Sequence, residues 1–346
     1  MRMPHIVVIG GSAGSIAVLK TILRGLPADF PAPVLIVTHT GPHDSVLTAL
    51  LERCSALPVR DAVQGEPIVP GQVLLAPPNL HLTVASSGKR FFVQLSRGPK
   101  ENHSRPAIDP LFRSAAAAYG SGAIGVVLSG YLDDGTVGLQ AIKVHGGIAL
   151  VQDPAEAEAP DMPASAIQHA TVDAVYGAEG IAPALVELLR GPAPPRELPA
   201  GAAVTELQER MAIESRVFDG EGAMEELDRI GTRVPLTCPE CGGSIWEIGQ
   251  AKPLRYRCHT GHGFTAEVLA RLQGDEVEEA IWAAVRALHE QEQLFMQLHG
   301  QTGPSRAGLP GTGDVRSGYL AKAEQARHHG QLLRDLLAAR MSIAPP

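Results

Sequence analysis

The sequence predicts an α/β fold: a doubly wound, mostly parallel sheet with an edge hairpin, followed by a small cysteine-bearing module and an α-helical hairpin. Three observations carry this. Short β-branched runs alternate with segments of helical apolar spacing from residue 5 to about 190. Three of the four cysteines, Cys238, Cys241 and Cys258, cluster late. Two long amphipathic stretches close the chain.

Residues 6–9 form a short apolar run, as a parallel strand covered on both faces should be. Gly10-Gly11-Ser12-Ala13-Gly14 allows a tight turn, and Ile16, Leu19, Leu23 and Leu26 then follow helical spacing. Ser12 therefore falls at the carboxyl end of the first strand, the edge where open α/β sheets bind ligands. Residues 33–39 read as a second buried strand ending on His39, with Val46, Leu47, Leu50 and Leu51 marking a helix. Residues 73–77 form another strand. Residues 81–84 and 91–95 flank Ser87-Gly88-Lys89 and read as a hairpin that would make the sheet mixed at one edge.

Asp109-Pro110 opens a helix, with Asp109 as N-cap. Residues 124–130 form a central strand, followed by the loop Tyr131-Leu132-Asp133-Asp134-Gly135 and a helix through Leu139 and Ile142. Strands at 148–153 and 172–176 and helices at 162–169 and 181–190 complete the unit. A proline-rich linker over 191–202 divides domain 1–190 from 203–264, a helical lead-in with the cysteine module. Residues 265–346 form the helical hairpin. Val277, Ile281, Val285 and Leu288 make one stripe, Leu332, Leu333, Leu336 and Leu337 the other, and 303–313 a flexible connection.

Of the 346 residues, 45% are hydrophobic and 19% charged, with a net charge of −8. That balance supports a sizeable core and argues against a nucleic-acid partner, which would want a basic face. No long apolar span and no signal peptide is visible, so a cytoplasmic protein without membrane insertion is expected. Cysteine usage is metal arithmetic rather than a disulfide framework, with Cys54 as a buried thiol.

Three strand ends carry polar residues: Ser12, His39 and Asp134. Parallel strands put these ends on one edge, the geometry a Ser-His-Asp triad needs. The glycine-flanked serine also fits G-x-S-x-G, but the order Ser, His, Asp differs from the Ser, Asp, His of α/β-hydrolases. Each member has a plainer reading: a structural Gly-rich turn, a hydrogen-bonded strand-end histidine, a turn with a helix cap.

Residues 5–190 resemble the catalytic domain of CheB-type protein-glutamate methylesterases. The motifs are Ile9 to Ser15, Thr38-His39-Thr40-Gly41-Pro42, Pro70 to Pro77, His81, Ser104 to Phe112, Leu128-Ser129-Gly130, Asp134-Gly135, Gly138-Leu139, and Gln152-Asp153 followed by Met162-Pro163. The resemblance implies Ser12 as nucleophile, His39 as base, Asp134 as acid, and no cofactor for catalysis. It implies hydrolysis of glutamyl methyl esters on methylated chemoreceptor-like proteins, with release of methanol, and glutamine deamidation by the same machinery. The oxyanion would rest on the backbone N–H groups of Ala13 and Tyr131. There are departures: Thr38-His39-Thr40-Gly41 stands for Gln-His-Met-Pro, and Ser129-Gly130-Tyr131-Leu132 for Thr-Gly-Met-Gly. The sequence opens on the first strand of this domain, which leads to the expectation of a form without the family's inhibitory receiver domain.

Cys238-Pro239-Glu240-Cys241-Gly242-Gly243 has the form of a zinc knuckle, and Cys258-His259-Thr260-Gly261-His262 supplies a second pair. His262 is chosen over His259, because adjacent ligands crowd one tetrahedral site. The set Cys238, Cys241, Cys258 and His262 predicts structural Zn2+, with free thiols or a redox Cys-x-x-Cys as the alternatives. The module resembles a C-terminal extension of receiver-less CheB-like proteins, and is read as a docking or regulatory part, with the helical hairpin as a surface for a regulatory protein or a second copy, or else as a cover for the ribbon. Two other functions stay open: a hydrolase of a different ester or amide, and an inactive signalling adaptor working through the C-terminal module.

Overall fold

The computed structural model describes residues 4–39, 46–191, 201–222, 224–249, 251–301 and 315–341. The motif residues Thr40-Gly41-Pro42, nearly all of the proline-rich linker and the 303–313 connection lie outside these ranges. Two compact units emerge, Met1–Leu269 and Ala270–Pro346.

The chain runs β1 (Ile6–Gly11), α1 (Ser15–Gly25), β2 (Val34–Thr38), α2 (Leu47–Glu52), β3 (Val59–Asp61), β4 (Val73–Leu75), β5 (His81–Ser87) and β6 (Arg90–Ser96). It continues through α3 (Ile108–Tyr119), β7 (Ala123–Val127), α4 (Thr136–Val144), β8 (Ile148–Gln152), α5 (Asp161–His169), β9 (Ala174–Tyr176) and α6 (Ala178–Arg190). Then come α7 (Ala202–Phe218), α8 (Met224–Ile230), β10 (Gly231–Thr237), β11 (Ser244–Ile248), β12 (Arg255–Cys258) and β13 (Gly263–Thr265). Helices α9 (Ala266–Gln301) and α10 (Val315–Met341) close the chain.

Seven parallel strands form one sheet in the order β3-β4-β2-β1-β7-β8-β9. β1 is sandwiched between β2 and β7, with Gly10 opposite both Val37 and Val127. The strand order reverses there, so the crevice at the carboxyl ends of these three strands is the topological switch point. Along β1, Ile6 and Val8 enter one core with Phe112, Leu139 and Ile142, while Val7 and Ile9 enter the other with Leu19, Ile22 and Leu185. Helices cover both faces, which is why the strand reads as unbroken apolar sequence.

The predicted α/β architecture stands, with corrections. The hairpin forms, but β5 and β6 make a separate two-stranded sheet, so the seven-stranded sheet is parallel throughout among the described residues. Asp109 is not the N-cap of its helix: Ala107 takes that place, and Asp109 sits buried in the first turn. Cys54 is half-buried, with its sulfur 3.6 Å from the Arg24 guanidinium.

Strands β10 to β13 make an antiparallel ribbon in sequence order. Ile213 and Val217 of α7 and Leu227 of α8 pack with Trp246 and Ile248 over it. The ribbon belongs to the same compact unit as the parallel sheet. In the second unit α9 and α10 run antiparallel, with Arg327 Nε 2.7 Å from Glu292 Oε1 and Phe295 stacked on Tyr319. The α10 seam is Ala323, Ala326, Gly330, Leu333 and Leu337, a heptad-like spacing. The expected stripe was only partly right: Leu332 and Leu336 face outward, because a two-helix seam is narrower than a full apolar face.

Candidate active site

The loop after β1 is drawn tight against the loop after β7. The Ser12 amide donates to Ser129 O (2.8 Å), and Ser129 Oγ donates to Ala13 O (2.7 Å). Gln152, at the end of β8, accepts the Ser129 amide through Oε1 (2.9 Å). Ser15 Oγ donates to Ser12 O (2.6 Å), closing the turn into α1. Two glycines are obligatory here. Gly14 has φ +76°, and a Cβ on Gly130 would fall 2.0 Å from Met162 Sδ and 2.8 Å from Ser12 Cβ. The amides of Ala13 and Tyr131 have no hydrogen-bond acceptor among the described residues, and Tyr131 is 60% exposed.

His39 sits just beyond β2, its amide donating to Gly11 O (3.3 Å). Its ring Nε2 donates to Asp134 Oδ2 at 2.8 Å. Nδ1 is then the ring nitrogen left for another partner. No hydrogen bond joins Ser12 Oγ to His39 among the described residues. The structure thus unites two of the three predicted polar residues and places the third on the adjoining loop of the same edge.

Asp134 is buried among donors. Oδ2 also accepts the Ile108 amide (2.7 Å), and Oδ1 accepts Asn102 Nδ2 (3.1 Å) and the amides of Asp109 (3.2 Å) and Gly135 (3.0 Å). Ile108 and Asp109 open α3, so the carboxylate lies at a helix N-terminus. Burial would raise this carboxyl; the His39 hydrogen bond and charge, the Ile108 amide and the Asn102 amide outweigh it and hold Asp134 below its usual range.

Asp109 returns the arrangement to α4. Its Oδ1 accepts the amides of Gly135 (3.0 Å) and Gly138 (2.6 Å), and Asn102 Nδ2 donates to its Oδ2 (3.2 Å). Burial, then the charges of Asp134 and Glu101, push Asp109 well above the normal carboxyl range. Asp134 is therefore the ionised member of this buried pair. Burial likewise pushes Asp133 up to about 7, with the Thr265 hydroxyl pulling the other way.

His81, quoted among the sequence motifs, is a structural residue. It is fully buried, accepts the Ala107 amide on Nδ1 (3.3 Å) and donates from Nε2 to Pro99 O (3.0 Å). Burial lowers it to about 4, so it is neutral at pH 7.

Asn102, Asp109, Asp133 and Thr265 escaped the sequence reading as site residues. Asn102 offered one signal, since asparagine is enriched at positive φ, and here φ is +51°. Nothing local links it to Asp134.

The cysteine cluster assembles as expected. One ligand atom from each of Cys238, Cys241, Cys258 and His262 lies within 4.8 Å of the others, a group able to hold a metal ion. The knuckle is closed by Cys238 N to Gly243 O (2.8 Å) and Gly242 N to Cys238 O (2.7 Å). His259 stands apart against Gly243. Three sulfurs and one imidazole fit a closed tetrahedral set.

Comparison with known proteins agrees with this architecture. Residues 7–185 match the CheB methylesterase family model. A Leptospira interrogans relative is 43% identical over 183 residues, 53% of this chain and 93% of that protein. Relatives from Anaeromyxobacter dehalogenans (41% identical) and Oleidesulfovibrio alaskensis (35%) are named protein-glutamate methylesterase/protein-glutamine glutaminase 2. The match takes 54% of this chain in each case, and 54% and 52% of theirs, so this chain spans about half the length of those two. The crystal structure of the Thermotoga maritima CheB methylesterase catalytic domain superposes with a TM-score of 0.53. It is 36% identical and covers 54% of this chain and all of that one.

Proposed function

The chain belongs to the CheB methylesterase family, and on that footing we propose that it is a serine hydrolase removing methyl esters from glutamyl side chains of a chemoreceptor-type protein, with glutamine deamidation as a second activity. The observation that carries this reading is the His39–Asp134 hydrogen bond on the same sheet edge as Ser12.

Ser12 Oγ attacks the ester carbonyl while His39, through Nδ1, takes its proton. Asp134 holds the ring and stabilises the imidazolium. The Ala13 and Tyr131 amides receive the oxyanion, and their lack of another acceptor among the described residues supports that role. The C–O bond to methoxide breaks as His39 returns the proton, and methanol leaves. Water then attacks the acyl-enzyme by the same route, giving glutamate and free Ser12. With glutamine as substrate, ammonia leaves instead.

The reading places the chemistry in residues 1–190 and the metal in the ribbon. No helix among the described residues is long and apolar enough to cross a membrane. Trp282, Leu294, Leu332 and Leu336 project outward from the helical hairpin and support its role as the contact surface for a regulatory protein.

The direct test is methanol release from a methylated chemoreceptor cytoplasmic fragment. Release at a rate proportional to enzyme is expected. A fluorophosphonate-reactive Ser12 without methanol release would move the reading to another ester or amide. The exposed Tyr131, at a loop position where the family carries Met, is the feature that would favour that outcome.

The metal is read as zinc, held by Cys238, Cys241, Cys258 and His262 as a structural ion with no open position. Purified protein is expected to carry one zinc per chain. Exchange into cobalt(II) should give the ligand-field bands of a tetrahedral thiolate site, and Cys258→Ser should remove them. A metal-free, folded protein would rule the site out.

A further inference from the structure

The ribbon reaches the acid end of the site. The Asn102 amide donates to Gly263 O (2.8 Å), and the Gly263 amide to Lys100 O (3.3 Å), so β13 is laced to residues 100–102. The Thr265 amide donates to Asn102 Oδ1 (3.2 Å), and Thr265 Oγ1 donates to Asp133 Oδ1 (2.9 Å). All four residues bonded here through side chains or to them, Asn102, Asp133, Asp134 and Thr265, are buried. Further out, Glu240 of the cysteine knuckle pairs with Lys100 (3.1 Å) and His103 (2.5 Å).

The chemistry of an amide makes these bonds directional. Asn102 must turn Nδ2 toward Asp134, because an ionised carboxylate only accepts. Its Oδ1 must then find a donor. In a buried site an unpaired amide oxygen is costly, and the Thr265 N–H is the donor that satisfies it. The ribbon thus fixes which way Asn102 points. Thr265 also grips Asp133, the neighbour of Asp134 on the loop after β7. Two adjacent loop residues are therefore tied, one directly and one through Asn102, to an element outside the parallel-sheet fold.

We infer that the ribbon positions the acid of the site: Thr265 and Gly263 hold Asn102 and Asp133, and through them set the Asp134 carboxylate that faces His39. This rests on the assignment of Ser12, His39 and Asp134 proposed above. Asn102 and Thr265 are positioning residues, acting through Asp134 and touching no substrate.

The test uses the full chain and reads two quantities: the rate at which a fluorophosphonate probe labels Ser12 as a function of pH, and kcat and KM for methanol release. Thr265→Val removes the hydroxyl and keeps the shape; it also removes a weak cap of α9, in which the hydroxyl accepts the Val268 amide at 3.4 Å. Thr265→Ser keeps both bonds. Asn102→Gly deletes the amide at a backbone angle glycine accepts. Thr265→Val, which loses the bond to Asp133, is expected to slow labelling and kcat about tenfold with KM unchanged, and Asn102→Gly, which loses the bonds to Asp134 and Asp109, at least as much. Thr265→Ser should stay within about twofold of wild type. Equal slowing by Thr265→Ser and Thr265→Val would overturn the inference. So would wild-type labelling rates in both Thr265→Val and Asn102→Gly. If wild type itself is not labelled at Ser12, the serine reading fails first and the inference falls with it.

Discussion

Replacing Asp134 with Asn is expected to lower turnover by about 10^3–10^4 with little change in KM, a smaller loss than that from removing Ser12 itself. The reason is the direction of one hydrogen bond. His39 Nε2 donates to Asp134 Oδ2 at 2.8 Å. An Asn side chain that turned its NH2 toward the ring would make Nε2 the acceptor and move the ring proton to Nδ1. Nδ1 is the nitrogen that must be unprotonated to accept from Ser12. If Asn turned its oxygen toward the ring instead, its NH2 would face the amides of Asp109 and Gly135, two donors with no acceptor between them. Either orientation costs function or stability, and neither leaves a charge to stabilise the imidazolium. Methanol release by Ser12→Ala, Asp134→Asn and wild type checks this. A loss below tenfold in Asp134→Asn would remove Asp134 from the mechanism, and full activity in Ser12→Ala would falsify the serine-hydrolase reading.

Arg257→Met is expected to destabilise the first unit by about 3–5 kcal/mol, the cost of losing two buried hydrogen bonds to carboxylates and one to a carbonyl. Arg257 NH2 reaches Glu101 Oε1 (3.1 Å) and Glu214 Oε2 (3.2 Å), and its NH1 donates to Gly261 O (2.8 Å). Arg113 grips Glu101 with two bonds (2.5 and 2.7 Å), and Arg255 lies 2.8 Å from Glu214 Oε1. All five side chains are buried. Burial would raise Glu101, but Arg113 and Arg257 hold it well below the usual carboxyl range, so it stays charged. Removing Arg257 leaves Glu101 to Arg113 and Glu214 to Arg255, and takes a buried donor from each carboxylate and from Gly261 O. The cluster joins α3, α7 and the ribbon, so the loss should appear as one cooperative shift. Urea unfolding should show a lower midpoint, and the melting temperature should fall by roughly 6–20 °C. A variant as stable as wild type would mean water reaches the cluster and screens it.

Much of the molecule was legible in the sequence, for reasons that can be stated. The β-branched runs at 6–9 and 124–128 announced strands because both faces of a parallel sheet are covered. The glycines around Ser12 announced a tight strand-to-helix turn, and Gly14 and Gly130 indeed admit no side chain. The cysteine spacing announced a four-ligand cluster because two knuckles can present only a few atoms to one point. His39 and Asp134 were found because parallel strands bring every carboxyl end to one edge, whatever lies between them in sequence.

What the sequence alone could not give was decided at contacts between distant segments. The hairpin was foreseen, but not that it would leave the main sheet, since strand pairing is a long-range choice. Asp109 looked like a helix cap, and only the docking of α3 on α4 makes it the acceptor for Gly135 and Gly138. Asn102, Thr265 and the Glu101–Arg257–Glu214 cluster carry no local signature, because each is defined by a partner between 32 and 163 positions away. Sequence patterns record what a residue does for its own strand, helix or metal knuckle. The tertiary structure alone decides which buried polar groups meet, because burial obliges each of them to find a partner wherever in the chain it lies.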